Sequence, residues 1–361
     1  MVKRVIAIIL IILLIFSFVT ACGGDKNSSD SGGSNNSDSG SAGGGNTVVG
    51  SGGKDIFKDD IKFAFITLSS RATTGMMYDT ALAEILSPYD NISHTLYDGQ
   101  FDVNVQNTLI QECITQGVDV ILLECLDSEA LARSVAEAEA AGIVLMTVNM
   151  ACSATHTAHF QFADYDAGLQ AGEILSNECG NTGNIVILDV PANMVASVRM
   201  GTGCQDWIEA NSGMTIVAHE YIDDFSQEIA NTKMRDILTK FDRIDAVYGA
   251  TDALASGAIQ AITAAGRTGD NIKVFGNTGY EDAILNVADG VMFGTAWGMA
   301  YEMCSAMIDL GLFLVSCGLN SVSLGFSETQ KIDFPTIPVS HENALEILAI
   351  SRWQYSSQFL K

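Results

Sequence analysis

Basic side chains are the scarce class in this chain. Its 361 residues carry 18 Lys and Arg against 43 Asp and Glu, a formal charge of −25. An acidic surface of that size repels phosphate backbones and anionic headgroups, which excludes nucleic acid as a partner. The signatures of common catalysts are missing as well. There is no GxxxxGK[ST], no GxGxxG after a strand, no GxSxG and no HExxH. His156-Thr157-Ala158-His159 forms an HxxH, but no carboxylate or thiol stands at metal-ligand spacing from it, so a loop role is expected rather than a metal. No CxxC occurs. Apart from Cys22 there are seven cysteines, an odd number in mostly apolar contexts, which predicts free thiols rather than a disulfide framework. These absences predict a chain with no catalysis, no metal and no cofactor.

Apolar residues make up 48% of the chain, enough to fill the cores of the two domains that its length suggests. The first segment stands apart. Lys3-Arg4 is followed by an apolar run over 5–19 and then by Val19-Thr20-Ala21-Cys22. Charge, apolar run and small residues in that order predict a secretion signal over 1–21 rather than a spanning helix. The motif resembles the bacterial lipobox, which implies lipidation at Cys22, stable anchoring to the cell membrane and a body on its extracytoplasmic face. Gly23 follows the cysteine where an inner-membrane retention signal would have Asp. Residues 22–55 are dominated by Gly, Ser and Asn, a composition that buries no core and predicts a flexible tether.

The body is organised around residues 117–149, GVDVILLECLDSEALARSVAEAEAAGIVLMTVN. The apolar run 118–123 suits a strand covered on both faces. Asp127-Ser128 is a candidate helix cap, 130–141 has helical spacing, and Gly142 suits the residue that ends the helix. A second apolar run follows over 143–148. Strand, helix and strand in so short a span make one βαβ unit with parallel strands and a right-handed crossover. Ligands bind beyond the carboxyl ends of such strands, where Glu124 and Asn149 stand.

Similar alternation runs before and after it. Strands are expected at 61–68 and 92–97, with helices at 76–86 and 103–116. The middle repeats the plan, with helices at 166–177, 197–210, 227–240, 254–265 and 280–288. Strands lie between them at 185–190, 215–221, 245–248 and 273–275, followed by one at 291–296. A helix over 301–314, an extended Pro-interrupted segment over 331–339 and a last helix over 342–350 complete the body. The fold class is therefore α/β, with two doubly wound parallel-sheet halves.

An ordered set of segments resembles the type 1 periplasmic binding proteins of the ribose- and galactose-binding group, which share their fold with LacI-like repressors. It comprises QNTLIQECITQGVDVILL at 106–123, GIVLMTVN at 142–149, FADYDAGLQAGEIL at 162–175, GATDALASGAIQAI at 249–262, VFGNTGYEDAI at 274–284 and PTIPVSHENA at 335–344. A signal peptide stands where a repressor would carry its DNA-binding headpiece. The resemblance implies two Rossmann-like lobes joined by a three-segment hinge, with the ligand between them. The first lobe would comprise 56–163 plus 298–325, the second 164–297 plus 326–345, leaving 346–361 as a tail. Closure around the ligand would be hinge bending.

The same resemblance implies the ligand groups. Glu124 stands where a ribose binder has an asparagine. Asn149 stands where the family often has an aspartate followed by arginine, but Met150 follows it here. Arg199 matches the family's cleft arginine. Thr251 and Asp252 match the loop after a second-lobe strand, where the aspartate helps to fix the loop. Thr278 replaces a ligand-binding aspartate, and Trp297 or Gly298 occupies the hinge position, where Trp297 could stack on a ligand. Ser70, Arg71 and Tyr78 of the first loop complete the set. Asp164 and Asp166 match the crossover loop, as a cap or hinge rather than a calcium site. The implied function is a monomeric solute-binding lipoprotein that delivers a small polar ligand, foremost a sugar, to an ABC permease. A sensory module signalling to a membrane receptor, a nucleoside binder and an enzyme on the same topology are the competing readings.

Overall fold

A computed structural model of the chain describes residues 52–70, 73–190, 195–223 and 226–351. Cys22, the signal, nearly all of the tether, Arg71 and the end of the tail with Trp353 and Tyr355 lie outside the described residues. The elements run β1 (Ile61–Thr67), α1 (Thr73–Leu86), β2 (Ile92–Asp98), α2 (Val103–Gln116), β3 (Val120–Leu123), α3 (Ala132–Ala140), β4 (Val144–Val148) and β5 (Ala158–Phe162). They continue with α4 (Asp164–Glu178), β6 (Thr182–Asp189), α5 (Val195–Asn211), β7 (Gly213–Tyr221), α6 (Gln227–Lys240), β8 (Ala246–Gly249), α7 (Asp252–Ala264), β9 (Lys273–Phe275), α8 (Glu281–Ala288) and β10 (Thr295–Gly298). The last are α9 (Ala300–Cys317), α10 (Ser321–Leu324), β11 (Gln330–Phe334), β12 (Thr336–Val339) and α11 (Ala344–Ile350).

Local chemistry sets these boundaries. The Asp102 carboxylate caps α2 by accepting from Asn104 N at 2.8 Å, and Gly117 ends it at φ 61°. Asp127 Oδ1 accepts from Glu129 N and Ala130 N, at 3.0 and 2.9 Å, and so caps the turn that leads into α3. One expected strand moves. Gly290 turns at φ 71°, and Val291 N and Met292 N both donate to Asn286 O. The chain is therefore still closing α8 there, and β10 begins only at Thr295.

Six strands form one parallel sheet in the order β11-β5-β4-β3-β1-β2. A second parallel sheet has the order β7-β6-β8-β9. Both are doubly wound, as expected. β10 and β12 pair antiparallel apart from the two sheets. One apolar cluster fills the second-sheet half, from Ala171 to Ile347, and includes Trp297 and Val339. Two more cover opposite faces of the first sheet, one under α1 and α9, the other under α2 and α3. The buried stripe of α9 (Met303, Met307 and Leu314 among it) packs in this core, which accounts for the helix's apolar length.

The chain passes between the halves from β5 to α4, from β10 to α9 and from β11 to β12. The last passage corrects an expectation. Residues 326–345 do not all go with the second half, because β11 pairs in parallel with β5, Asp333 opposite Gln161. Gln161 Nε2 donates to Asp333 Oδ1 at 2.7 Å, and Ile332 and Phe334 pack on the first core. Pro335 alone separates β11 from β12. Residue 346 is no boundary either, since α11 runs through it and buries Ala344 and Ile347 in the second core.

A buried carboxylate holds the first sheet to the segment after α9. Glu139, 1% exposed, accepts from Leu145 N (3.2 Å), Thr157 N (2.7 Å), Thr157 Oγ1 (2.8 Å), Ser321 N (3.1 Å) and Ser321 Oγ (2.8 Å). Burial pushes its carboxyl above the usual range, and the hydroxyls of Thr157 and Ser321 oppose the shift. Glu139→Ala should lower unfolding stability by about 3 kcal/mol, because several buried donors lose their acceptor together. Glu139→Gln, which keeps one acceptor oxygen, should cost less. Denaturant midpoints of the two variants check the order.

Candidate functional site

The carboxyl ends of the first sheet gather polar groups. Glu124 follows β3 and is 3% exposed. Gln106 from α2 fixes the backbone around it, donating from Nε2 to Glu124 O at 2.7 Å and accepting at Oε1 from Leu126 N at 3.0 Å. The carboxylate Oε2 accepts from Thr67 Oγ1 at 2.5 Å and from Leu68 N at 3.0 Å. Oε1 makes no hydrogen bond among the described residues. Burial pushes the Glu124 carboxyl up, and the Thr67 and Leu68 bonds hold it back.

Asn149 follows β4 in the left-handed region at φ 59°, a conformation that Asn tolerates better than most residues. Its backbone N donates to Phe160 O at 2.8 Å, which aims the side chain off the sheet end. Asn149 Nδ2 donates to the Tyr78 phenol at 3.1 Å. Tyr78, 1% exposed on α1, packs edge-on against Phe65. Ser70 is held at the end of β2, donating from N and Oγ to the two oxygens of Asp98 at 3.1 and 2.9 Å. Four of the expected groups thus share one end of the first sheet.

The second half is arranged differently from the expectation. Asp252, expected among the ligand groups, is 2% exposed and gives its carboxylate to protein donors. Oδ2 accepts from Thr278 Oγ1 (2.7 Å) and Tyr280 N (2.9 Å), and Oδ1 from Thr295 Oγ1 (2.5 Å). Asp252 therefore fixes the loop after β9, the supporting role that the resemblance also implied. Thr278 spends its hydroxyl on that carboxylate and stands at φ 115°. The next residue, Gly279, turns at φ 67° with the Trp297 backbone against it, where no Cβ fits. Thr251 caps α7, accepting from Leu254 N at 3.3 Å. Trp297 is 2% exposed within the second core and pairs opposite Ile337. Arg199 is exposed on α5 and makes no hydrogen bond or ion pair among the described residues. Its charge acts on Asp164 and His159, next to Asp333 at the passages between the halves.

One residue that the sequence reading missed belongs with these groups. Tyr280 follows the Thr278-Gly279 turn, and its phenol is pushed up to about 12 by burial, with the charges of Asp252, Asp282 and Glu124 adding to the shift. Glu124 raises Tyr78 as well. Phenols from both halves therefore feel the same carboxylate. The signal was an aromatic directly after a glycine turn at a strand end. His156 and His159 are absorbed into packing. His156 Nε2 and His159 Nδ1 both meet Thr147 Oγ1 at 2.8 Å, and His159 Nε2 meets Gln161 at 2.9 Å.

Two parallel sheets joined by three passages, with polar side chains at the strand ends, define a two-lobed binding protein of the periplasmic type 1 fold. A solved periplasmic ribose ABC transporter protein from Conexibacter woesei superimposes with a TM-score of 0.72 at 19% identity, over 82% of this chain and 97% of that one. A family model described as a periplasmic binding protein domain matches residues 77–318, and the chain belongs to that family. It is 30% identical over 209 residues to a xylitol-binding protein of Mycolicibacterium smegmatis, covering 57% of this chain and 59% of that protein. It is 25% identical over 201 residues to the ribose import binding protein of Bacillus subtilis, covering 55% and 64%. The chain thus spans less than two thirds of the length of these two relatives.

The buried loop carboxylate makes stability depend on pH. Asp252 is pushed from 3.8 up to about 7, chiefly by burial. Between those values the folded chain holds a proton that the unfolded chain releases, so stability falls as pH rises through the window and levels off above it. Asp252→Asn should flatten that slope in denaturant melts. Asp164, also pushed up to about 7, should leave a residual slope in the variant.

Proposed function

We propose that this chain is an extracytoplasmic binding protein that captures a small polyhydroxylated solute, a sugar or sugar alcohol, between its two lobes and delivers it to an ABC importer. Lipidation at Cys22 tethers the body to the cell membrane, and it works as a monomer. The first lobe comprises the six-stranded sheet with α9, the second the four-stranded sheet with α11. The observation that carries the reading is the buried Glu124 carboxylate. Its Oε2 is held by Thr67 and Leu68 while its Oε1 takes no hydrogen bond among the described residues, and its charge reaches both Tyr78, which pairs with Asn149, and Tyr280 of the other lobe.

A carboxylate accepts from a hydroxyl, while an amide and a phenol can both donate and accept. That mixture suits a ring or chain of hydroxyl groups, which present both roles at every carbon. The relatives support the class, being named for xylitol and ribose. Arg199 closes over the ligand from the second lobe. Met150 and Thr278 stand where two further polar contacts of the resembled sites would be, so the ligand is held by fewer charged groups and chiefly from the first lobe. The closed form is the one that the permease recognises.

Binding raises the melting temperature of the native state as ligand is added. A refolded, ligand-stripped body should therefore show a saturable shift with one member of a panel of pentoses, hexoses, inositols and sugar alcohols. Shifts confined to nucleosides or amino acids would sink the polyol reading. With the hit in hand, calorimetry should show Asn149→Ala weakening binding by roughly tenfold, about one hydrogen bond's share. Arg199→Ala should weaken it as well, with the fold unchanged by circular dichroism.

A further inference from the structure

Of the seven cysteines among the described residues, all are free thiols, and they divide sharply by surroundings. Cys113, Cys204 and Cys304 are fully enclosed, and burial pushes their thiols up. Such groups are inert. Cys125 and Cys152 differ. Cys125 directly follows Glu124, and Cys152 lies three residues after Asn149, so both extend the strand ends that carry the candidate site.

One turn holds both sulfurs. Cys125 Sγ donates to Asp127 O at 3.5 Å, and Cys152 Sγ donates to Ser128 O at 3.3 Å. Ser153 fixes the second loop to the same turn, donating from N and Oγ to Ser128 O at 3.2 and 3.0 Å. Both cysteines belong to one apolar cluster, Cys125 1% and Cys152 7% exposed. Held this way, the two sulfurs sit at neighbouring carbonyls of one turn, inside one apolar cluster.

We propose that Cys125 and Cys152 form an oxidisable dithiol site whose substrate is a small hydroperoxide and whose product is a reversible disulfide bridging the loops after β3 and β4. The proposal stands whether or not the cleft takes a sugar. The ionisation pattern agrees with the geometry. The neighbouring Cys125 thiol pushes the Cys152 thiol down, and Cys125 is itself pushed up by Cys152 and by burial. Cys152 is therefore the thiolate and the nucleophile, and Cys125 the resolving thiol.

The Cys152 thiolate attacks one oxygen of hydrogen peroxide. The O–O bond breaks, hydroxide leaves and takes up a proton as water, and Cys152 becomes a sulfenic acid. Cys125 then attacks the Cys152 sulfur, the S–O bond breaks, and the Cys125 proton leaves with the hydroxyl as a second water. Overall, two thiols and one peroxide give one disulfide and two waters. The small size of the oxidant suits a sulfur as enclosed as Cys152. The bridge would draw both sulfurs away from the 127–128 turn and tie the loop after Glu124 to the loop after Asn149.

The test uses the full chain, reduced, freed of reductant and exposed to hydrogen peroxide. Cleavage after Arg133 separates the two cysteines, so non-reducing peptide mapping should find them rejoined through a Cys125–Cys152 disulfide that dithiothreitol removes. The rate should rise with pH as the Cys152 thiol ionises, below the range of an ordinary thiol. In Cys125→Ser, which keeps a hydroxyl donor beside Cys152 but cannot form the bridge, dimedone should trap a sulfenic acid on Cys152. Peroxide that leaves both thiols open to alkylation, or that joins either to another cysteine in preference, would overturn the proposal.

Discussion

A carboxylate can be buried only where hydroxyls and backbone N–H groups replace the water it loses, and this structure depends on meeting that condition repeatedly. Glu124 is met by Thr67 and Leu68, Glu139 by Thr157, Ser321 and Leu145, and Asp252 by Thr278, Thr295 and Tyr280. Asp189 is met by Val190 and His219. Each acid joins segments distant in sequence. The connections that close the two halves are thus drawn by acceptors, in a chain that has many acids and few bases to pair with them.

The distinction between holding and contacting follows from the same bonds. Asp252 has its oxygens engaged by three donors and acts through the loop that it fixes. Glu124 has one oxygen engaged, and the other takes no hydrogen bond among the described residues. Both lie at strand ends and look alike in sequence, but among the described residues only the first has both oxygens engaged. The charge of Glu124 reaches Tyr78, which pairs with Asn149, and Tyr280, all groups that can act in either hydrogen-bonding sense.

Much of the fold was legible in the sequence where local signals agreed. Residues 103–116 were read as a helix with the bounds observed from the helical spacing of its apolar face, and in the structure Asp102 and Gly117 mark its ends. Glu124 and Asn149 followed from the rule about strand ends alone. Other features rest on partners far along the chain. The short strand 158–162 went unassigned because its neighbours, β4 and β11, are what make it a strand. The segment 330–334 was given to the wrong half, since only its pairing with β5 and the Gln161–Asp333 bond decide the matter. The internal role of Asp252 depends on Thr278 and Thr295, 26 and 43 residues away. Periodicity carries no information about those meetings.

The one-residue passage at Pro335 has a mechanical meaning. β11 belongs to the first sheet and β12 is tied to β10, so the strand ends on either side can separate by no more than roughly 7 Å, two trans peptide units. Proline also fixes its own φ, which removes one of the few torsions available there. The other two passages are as short, Ala163 between β5 and α4 and Met299 between β10 and α9, but neither linking residue is a proline. Pro335 is therefore a pivot with almost no slack. Whatever swing the lobes make turns about a point close to it, and the strand ends that carry Glu124 and Tyr280 act as the two arms of the lever.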